Sequence, residues 1–239
     1  MIDLYYWTTP NGHKPLIFLE EAALAYRIMP INLSAGEQFA PGYLAISPNN
    51  RIPAIVDHKP VDGGEPLSLF ESGAILQYLS AKTGTFGGRN PRQQSRVQQW
   101  LMWQMGGLGP MAGQNHHFAH YAPERIPYAT QRYIDETNRL YGVLDRQLAT
   151  ASFVAGDYSI ADMAIYPWIR MYERQAQSLD DFPHIKAWFA MLSQRPAIVR
   201  AYDIAAAINT QPTVTDKGKS VLFGQTSKQK VKHHDNDTV

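Results

Sequence analysis

A change of texture between residues 85 and 91 constrains the fold of this chain more than any other feature. Before it, short apolar runs alternate with turn clusters; after it, apolar residues recur at helical spacing. The boundary, Gly87-Gly88-Arg89-Asn90-Pro91, is a run of chain-breaking residues and reads as a linker. At 239 residues the chain also exceeds the roughly 100–200 residues of an ordinary single domain. We therefore expect one domain over residues 1–85, an all-helical domain over 91–208, and a tail over 209–239. The tail is polar and poor in aromatics, and is expected to be flexible with no fold of its own.

In the first domain, Ile2-Asp3-Leu4-Tyr5-Tyr6 reads as a short strand and Thr8-Thr9-Pro10-Asn11-Gly12 as a turn. A helix with Leu16, Leu19 and Ala23 on one face follows, then a strand over 26–33 whose Pro30 suits an edge position. A short, weakly periodic segment holds Tyr43 and Leu44, and Ser47-Pro48-Asn49-Asn50 is a turn. Residues 52–57 and 66–70 then read as two strands joined by a tight turn at Asp62-Gly63-Gly64. Glu71-Ser72 opens a helix carrying Ile75, Tyr78 and Leu79. The order β-α-β-α-β-β-α fits a small mixed sheet with helices on its faces.

In the second domain, a helix with Val97, Trp100, Leu101 and Gln104 runs into an expected break at residues 106–110. A strongly periodic helix carries Tyr133, Thr137, Leu140, Leu144 and Leu148. Ser159-Ile160-Ala161-Asp162 has the spacing of a capped helix start, with Ala161, Ile165, Trp168 and Tyr172 as its apolar face. Pro183 begins another helix with Ile185, Trp188, Phe189 and Leu192 inward, closed by Arg195-Pro196.

Cysteine is absent, and that zero limits the chemistry. No structural disulfide, Cys-liganded metal, CxxC pair or cysteine nucleophile can form, so any sulfur that reacts must arrive on a small molecule. Apolar residues at 44% support a packed core, and a formal charge of +1 gives no electrostatic case for a nucleic acid or membrane partner. No basic stretch followed by a long apolar run stands at the N-terminus, so a cytoplasmic protein is expected.

Three words in order along the chain resemble the cytosolic glutathione transferase family: Arg51-Ile52-Pro53-Ala54-Ile55, Glu71-Ser72-Gly73-Ala74-Ile75 and Ser159-Ile160-Ala161-Asp162. Thr9-Pro10-Asn11-Gly12, Ser47-Pro48-Asn49-Asn50, Gly107-Leu108-Gly109-Pro110-Met111 and Gly113-Gln114-Asn115-His116-His117-Phe118 are similar to its nu class. The resemblance implies an α/β thioredoxin-like N-terminal domain, an all-α C-terminal domain, glutathione as co-substrate without a metal, and a homodimer.

Glutathione presents an amine and a carboxylate at one end, a thiol in the middle and a second carboxylate at the other end. Ser72 and the free N–H groups of its helix suit the first carboxylate, and Glu71 suits the ammonium, although the pair also makes an ordinary acidic helix start. By resemblance Pro53 is cis, turning the Ile52 N–H and C=O outward to the cysteinyl unit. Thr9 and Asn11 are the candidates for stabilising the thiolate, which is the reactive form of a thiol. The same residues would equally make an N-capping turn. Tyr5 and Tyr6 sit inside the strand and suit packing. Gln38 matches a glutathione-contacting position, and Arg132 matches an arginine that reaches glutathione from the partner subunit. Adjacent His116 and His117 diverge on a helix, which argues against a metal pair. Trp100, Trp103 and Phe118 suit core more than pocket.

The expected activity is reduction of a small-molecule disulfide by bound glutathione, with a second glutathione resolving the mixed disulfide. Conjugation of glutathione to electrophiles and a non-catalytic glutathione-binding regulator are the alternatives.

Overall fold

The structure, a computed structural model, describes residues 1–211, 214 and 216–226. Ile2, Leu4 and Tyr6 point one way along β1 (Ile2–Tyr6) and are fully buried. Thr9 then caps α1 (Pro10–Glu21), its hydroxyl oxygen accepting the Gly12 N–H at 3.0 Å. The chain continues through β2 (Tyr26–Pro30), α2 (Pro41–Leu44), β3 (Ala54–Asp57), β4 (Leu67–Phe70) and α3 (Ser72–Thr83). The sheet runs in the order β2-β1-β3-β4. The β1–β2 pair is parallel and the other two pairs are antiparallel. Edge strand β2 ends on Pro30, which has no N–H to give a ladder.

Two local expectations fail in this half. Residues 58–66 connect β3 to β4, so Asp62-Gly63 stands in a wide loop and not in a tight hairpin turn. Ala23 lies past the end of α1, exposed, with φ +51°. The helix itself is buried from Gly12 to Leu19, not along one stripe, because the second domain covers the face away from the sheet.

The second domain comprises α4 (Pro91–Trp103), α5 (Gly109–His116), α6 (Pro127–Leu148), α7 (Ile160–Ile169), α8 (Pro183–Ser193) and α9 (Pro196–Ile208). The expected break at 106–110 does not occur. The helix widens instead into a π-turn, Gln104–Leu108, and runs on into α5 and a second π-segment, His117–Tyr121. A widened turn gives the Pro110 ring room that a regular helix would deny it. The capped start of α7 forms as the spacing predicts, with Ser159 accepting the Ala161 N–H and Asp162 accepting the Ser159 N–H at 3.1 Å. All ten residues of α7 are buried, so its apolar face is its whole circumference. It is the central post against which α1, α4 and α8 pack. Arg195-Pro196 does close one helix but also opens α9, which the sequence reading did not separate.

The domains are tied across α1 by a bidentate Arg195–Glu21 pair at 2.7 and 2.9 Å and by Arg200–Glu20 at 2.6 Å. The stretch expected to be a tail without structure contains α10 (Asp216–Phe223). Leu222 packs near Ile31 and Leu33 of the first domain, and the Phe223 ring lies 4.9 Å from that of His117 in the second. The rest of that tail, residues 212, 213, 215 and 227–239, is outside the described residues. No described helix is long and apolar enough to cross a membrane.

Candidate functional site

A cleft opens where the loop before β3 meets the start of α3 and the π-turn of the second domain. Its walls are Ser47, Asn49, Arg51, Ile52 and Pro53 on one side and Phe70, Glu71 and Ser72 on another. Asn11 at the start of α1 and Met105 of the π-turn complete it.

The loop before β3 is pinned through one carbonyl. Arg51 C=O accepts the Tyr43 hydroxyl at 2.7 Å and the Ser47 hydroxyl at 2.9 Å. The Ile52-Pro53 bond that follows is cis. Among the described residues the N–H and C=O of Ile52 take no hydrogen bond within the chain, which leaves both groups able to pair with a ligand.

At the opposite wall Glu71 holds φ +69° and ψ 113°, a conformation that costs a non-glycine residue about 1–3 kcal/mol. The surrounding bonds enforce it: its carbonyl accepts the Ile75 N–H at 2.9 Å and its carboxylate accepts Asn49 Nδ2 at 3.2 Å. As the cap of α3 it offers no side-chain bond to the helix, so the first N–H groups of α3 are left for something else. The second residue of that helix, Gly73, lies so close to Met105 that a Cβ there would meet its Cγ at 3.0 Å.

Thr9 does not line the cleft itself; it caps α1 at the edge, two residues before Asn11. Capping occupies one lone pair of its oxygen and leaves the hydroxyl proton to donate elsewhere. Gly12 permits this turn, since a Cβ there would stand 2.2 Å from the Trp7 carbonyl. The Asn11 side chain is oriented by Trp168 of α7, whose Nε1–H donates to Asn11 Oδ1 at 3.1 Å. Its amide nitrogen is therefore the end that can donate to a ligand. His116 stacks against the far side of this wall, its ring 6.0 Å from Trp168. Its Nε2 has no partner among the described residues, and burial lowers its pKa to about 4.

Beneath Ser72 lies a residue the sequence reading missed. Lys14 is 1% exposed, and its ammonium donates to Gln104 Oε1 at 2.6 Å, Met105 Sδ at 3.3 Å and Ser72 Oγ at 3.4 Å. Burial pulls its pKa down to about 7, partly opposed by the negative charge of Glu71. A signal was present: Lys14 is followed by Pro15-Leu16-Ile17-Phe18, so its neighbours three and four residues on are apolar and it shares their buried face.

Of the expected site residues, Asn11, Ile52, Pro53, Glu71 and Ser72 are thus brought to one cleft. Gln38 is 1% exposed, and both its amide atoms lack partners among the described residues; it is not part of the cleft lining. Arg132 is exposed on α6, away from the cleft of its own chain. Tyr6 is buried and bonds His13 Nδ1 at 2.9 Å, and Tyr5 packs beside Tyr43, so neither serves the cleft. His116 and His117 diverge towards Trp168 and Phe223 respectively. No group of three metal-ligating side chains is assembled among the described residues. Trp100 and Trp103 meet edge to face against the core, and Phe118 stacks on Tyr133.

Residues 2–81 match the N-terminal domain of glutathione S-transferases, and residues 120–196 match their C-terminal domain. The chain belongs to the glutathione S-transferase family. It is 56% identical over 202 residues to the disulfide-bond oxidoreductase YfcG of Escherichia coli, a match covering 84% of this chain and 94% of YfcG. A Pseudomonas putida glutathione transferase with one glutathione disulfide bound per subunit is 42% identical, with a TM-score of 0.81. That match covers 85% of this chain and 91% of the other. A Pseudomonas fluorescens family member with two glutathione molecules bound is 40% identical, with a TM-score of 0.79, over 84% of this chain and 91% of the other.

Proposed function

We propose that this transferase is a nu-class, glutathione-dependent disulfide-bond reductase that works in the cytoplasm as a homodimer. The observation that carries the reading is the cleft itself: it offers unpaired backbone groups, an open helix start and an acid, but no protein thiol. Those three features match the cysteinyl backbone, the γ-glutamyl carboxylate and the ammonium of glutathione, and the likeness to YfcG favours disulfides as the acceptors.

In this reading the γ-glutamyl carboxylate sits on Ser72 and the first N–H groups of α3, where the helix dipole favours an anion. Glu71 takes the ammonium, and its fixed backbone holds the carboxylate in place for that contact. Ile52 pairs with the cysteinyl unit through its N–H and C=O. Thr9 donates its hydroxyl, and Asn11 its amide, towards the sulfur, which favours the thiolate over the thiol. Gln38, matched by resemblance to a contact at the glycine end, is buried outside the cleft lining, so its unpaired amide reaches that end only once the chain covering it moves aside. Arg132 serves the neighbouring subunit's site, consistent with its exposure on α6.

The glutathione thiolate attacks one sulfur of a small-molecule disulfide. An S–S bond forms to glutathione, the substrate S–S bond breaks, and the departing thiolate takes a proton from solvent. A second glutathione thiolate then attacks the mixed disulfide, giving oxidised glutathione and the second substrate thiol. Two glutathione molecules are oxidised for each disulfide reduced. The chain's part is to bind, orient and ionise.

The experiment is a comparison of glutathione-driven reduction of hydroxyethyl disulfide with conjugation of chlorodinitrobenzene. Faster disulfide turnover is expected. Dominant conjugation would make this an ordinary transferase, and turnover of neither with retained glutathione affinity would make it a binding protein.

A further inference from the structure

Lys14 stands out because a buried cation ordinarily has a counter-charge and this one has none among the described residues. Its three donors are spent on a hydroxyl, an amide oxygen and a thioether, and among the described residues no carboxylate pairs with it. The groups that face it from other elements are Ser72 of α3 and Gln104 and Met105 of the π-turn. Glu71, beyond Ser72, is the other charged group that acts on it, from outside bonding distance.

This arrangement is built by the fold at some expense. In a regular helix consecutive side chains diverge, yet Gln104 and Met105 both reach the same ammonium, from the first two positions of the π-turn. Gly109 makes space for the first of them, since a Cβ there would lie 2.7 Å from Gln104 Nε2. That nitrogen itself has no partner among the described residues, so the amide is turned to give its oxygen to Lys14. Met105 in turn presses on Gly73 at the start of α3. The cation is held directly behind the helix start that faces the cleft.

We infer that Lys14 is a positioning residue for the ligand's anionic end: it supplies, from behind Ser72, the charge that answers a carboxylate seated on the N-terminus of α3, and it takes up a proton when that carboxylate arrives. This rests on the reading of the cleft as the glutathione site. Without ligand the ammonium is poised near neutral pH by its burial. An anion brought within a few ångströms favours the charged form and raises the pKa. The sign follows: the complex binds more protons than the free protein, so affinity is greatest below about pH 7 and weakens as pH rises through the free-state value. Each unit by which the ligand raises that pKa is worth a factor of about ten in affinity across the window.

The test is calorimetric titration of the full chain with S-methylglutathione, which keeps both carboxylates but has no thiol to ionise. Titrations at about pH 7.5 in phosphate and in Tris, whose ionisation enthalpies differ, report protons taken up on binding. Wild type is expected to take up a substantial fraction of a proton. Lys14→Met should take up none and bind about tenfold more weakly, whereas Lys14→Arg should regain most of the affinity without the uptake. Wild-type binding with no proton uptake overturns the inference, whether or not the variants fold. Uptake that persists unchanged in Lys14→Met also overturns it. Failure of wild type to bind S-methylglutathione at all would instead remove the glutathione reading beneath it.

Discussion

Helices α3 and α7 each begin with a serine and an acid close together, and they use the pair in opposite ways. At α7 the chain satisfies itself. Ser159 caps the helix, and the buried Asp162 carboxylate accepts the N–H groups of Val154 and Ser159, the Ser159 hydroxyl and Trp188 Nε1–H. Every donor there ends on a partner from the same chain, and the helix start is sealed inside the core. At α3 the acid stands at the cap with φ +69° and bonds a loop asparagine instead of the helix. The serine bonds a lysine that has no counter-ion among the described residues, and the first N–H groups face a cleft. A helix start that completes its own bonds is structure; one held open, at some strain, is a place for a ligand.

Breaking the closed start should have the largest effect. Asp162→Ala leaves the donors of Val154, Ser159 and Trp188 buried without an acceptor, and should cost about 4 kcal/mol or more in urea unfolding. A loss under about 1 kcal/mol would mean that the two helix starts are not so different.

The second prediction concerns pH. His116, on the wall behind Asn11, is kept neutral by burial, which lowers its pKa from the ordinary imidazole value of about 6.5 to about 4. The unfolded chain therefore binds more protons between those values, and stability rises with pH across that window and is lost as pH falls through it. The shift corresponds to about 3 kcal/mol for this one group. Melting temperatures followed from about pH 7 to pH 4 should fall less steeply in His116→Phe than in wild type.

Thr9 sharpens the comparison because it belongs to both kinds of site. As a cap, its loss should cost about 1 kcal/mol of stability. As a donor to sulfur, Thr9→Ala should lower kcat for hydroxyethyl disulfide about tenfold, or roughly 1.4 kcal/mol. Thr9→Ser should recover both. If stability falls and kcat does not, Thr9 belongs with Ser159 as a purely structural cap.

Glu71→Gly gives the smallest effect and the most specific one. Glycine adopts φ +69° without penalty, so the variant should be more stable than wild type by about 1 kcal/mol, while glutathione binding weakens. A stability gain paired with a binding loss is the mark of strain kept for function. Loss of both would assign Glu71 to the fold.

Much of the site could be read in the sequence because its elements are contiguous words. Ile52-Pro53 and Glu71-Ser72 are dipeptides at the ends of β-strands, and both reach the cleft. Lys14, Gln104 and Met105 could not be read so, because their meeting depends on the docking of two domains and on a π-turn where the sequence suggested a break. The wide loop of residues 58–66 escaped for a similar reason. An Asp-Gly pair marks a turn, but where the next strand resumes is set by the pairing of β4 with β3.

By itself, then, the sequence determined the two-domain division, the order of strands and helices in the first domain, the capped start of α7, and the lack of any protein thiol. All of these depend on local spacing or composition, which short-range sterics and hydrogen bonding translate directly. Tertiary structure decided that α1 and α7 are buried all round and that Trp168 turns Asn11 towards the cleft. It also placed behind the open start of α3 an ammonium that no carboxylate pairs among the described residues. Those outcomes depend on residues as far apart as Asn11 and Trp168, which meet only when burial of apolar surface brings the domains together.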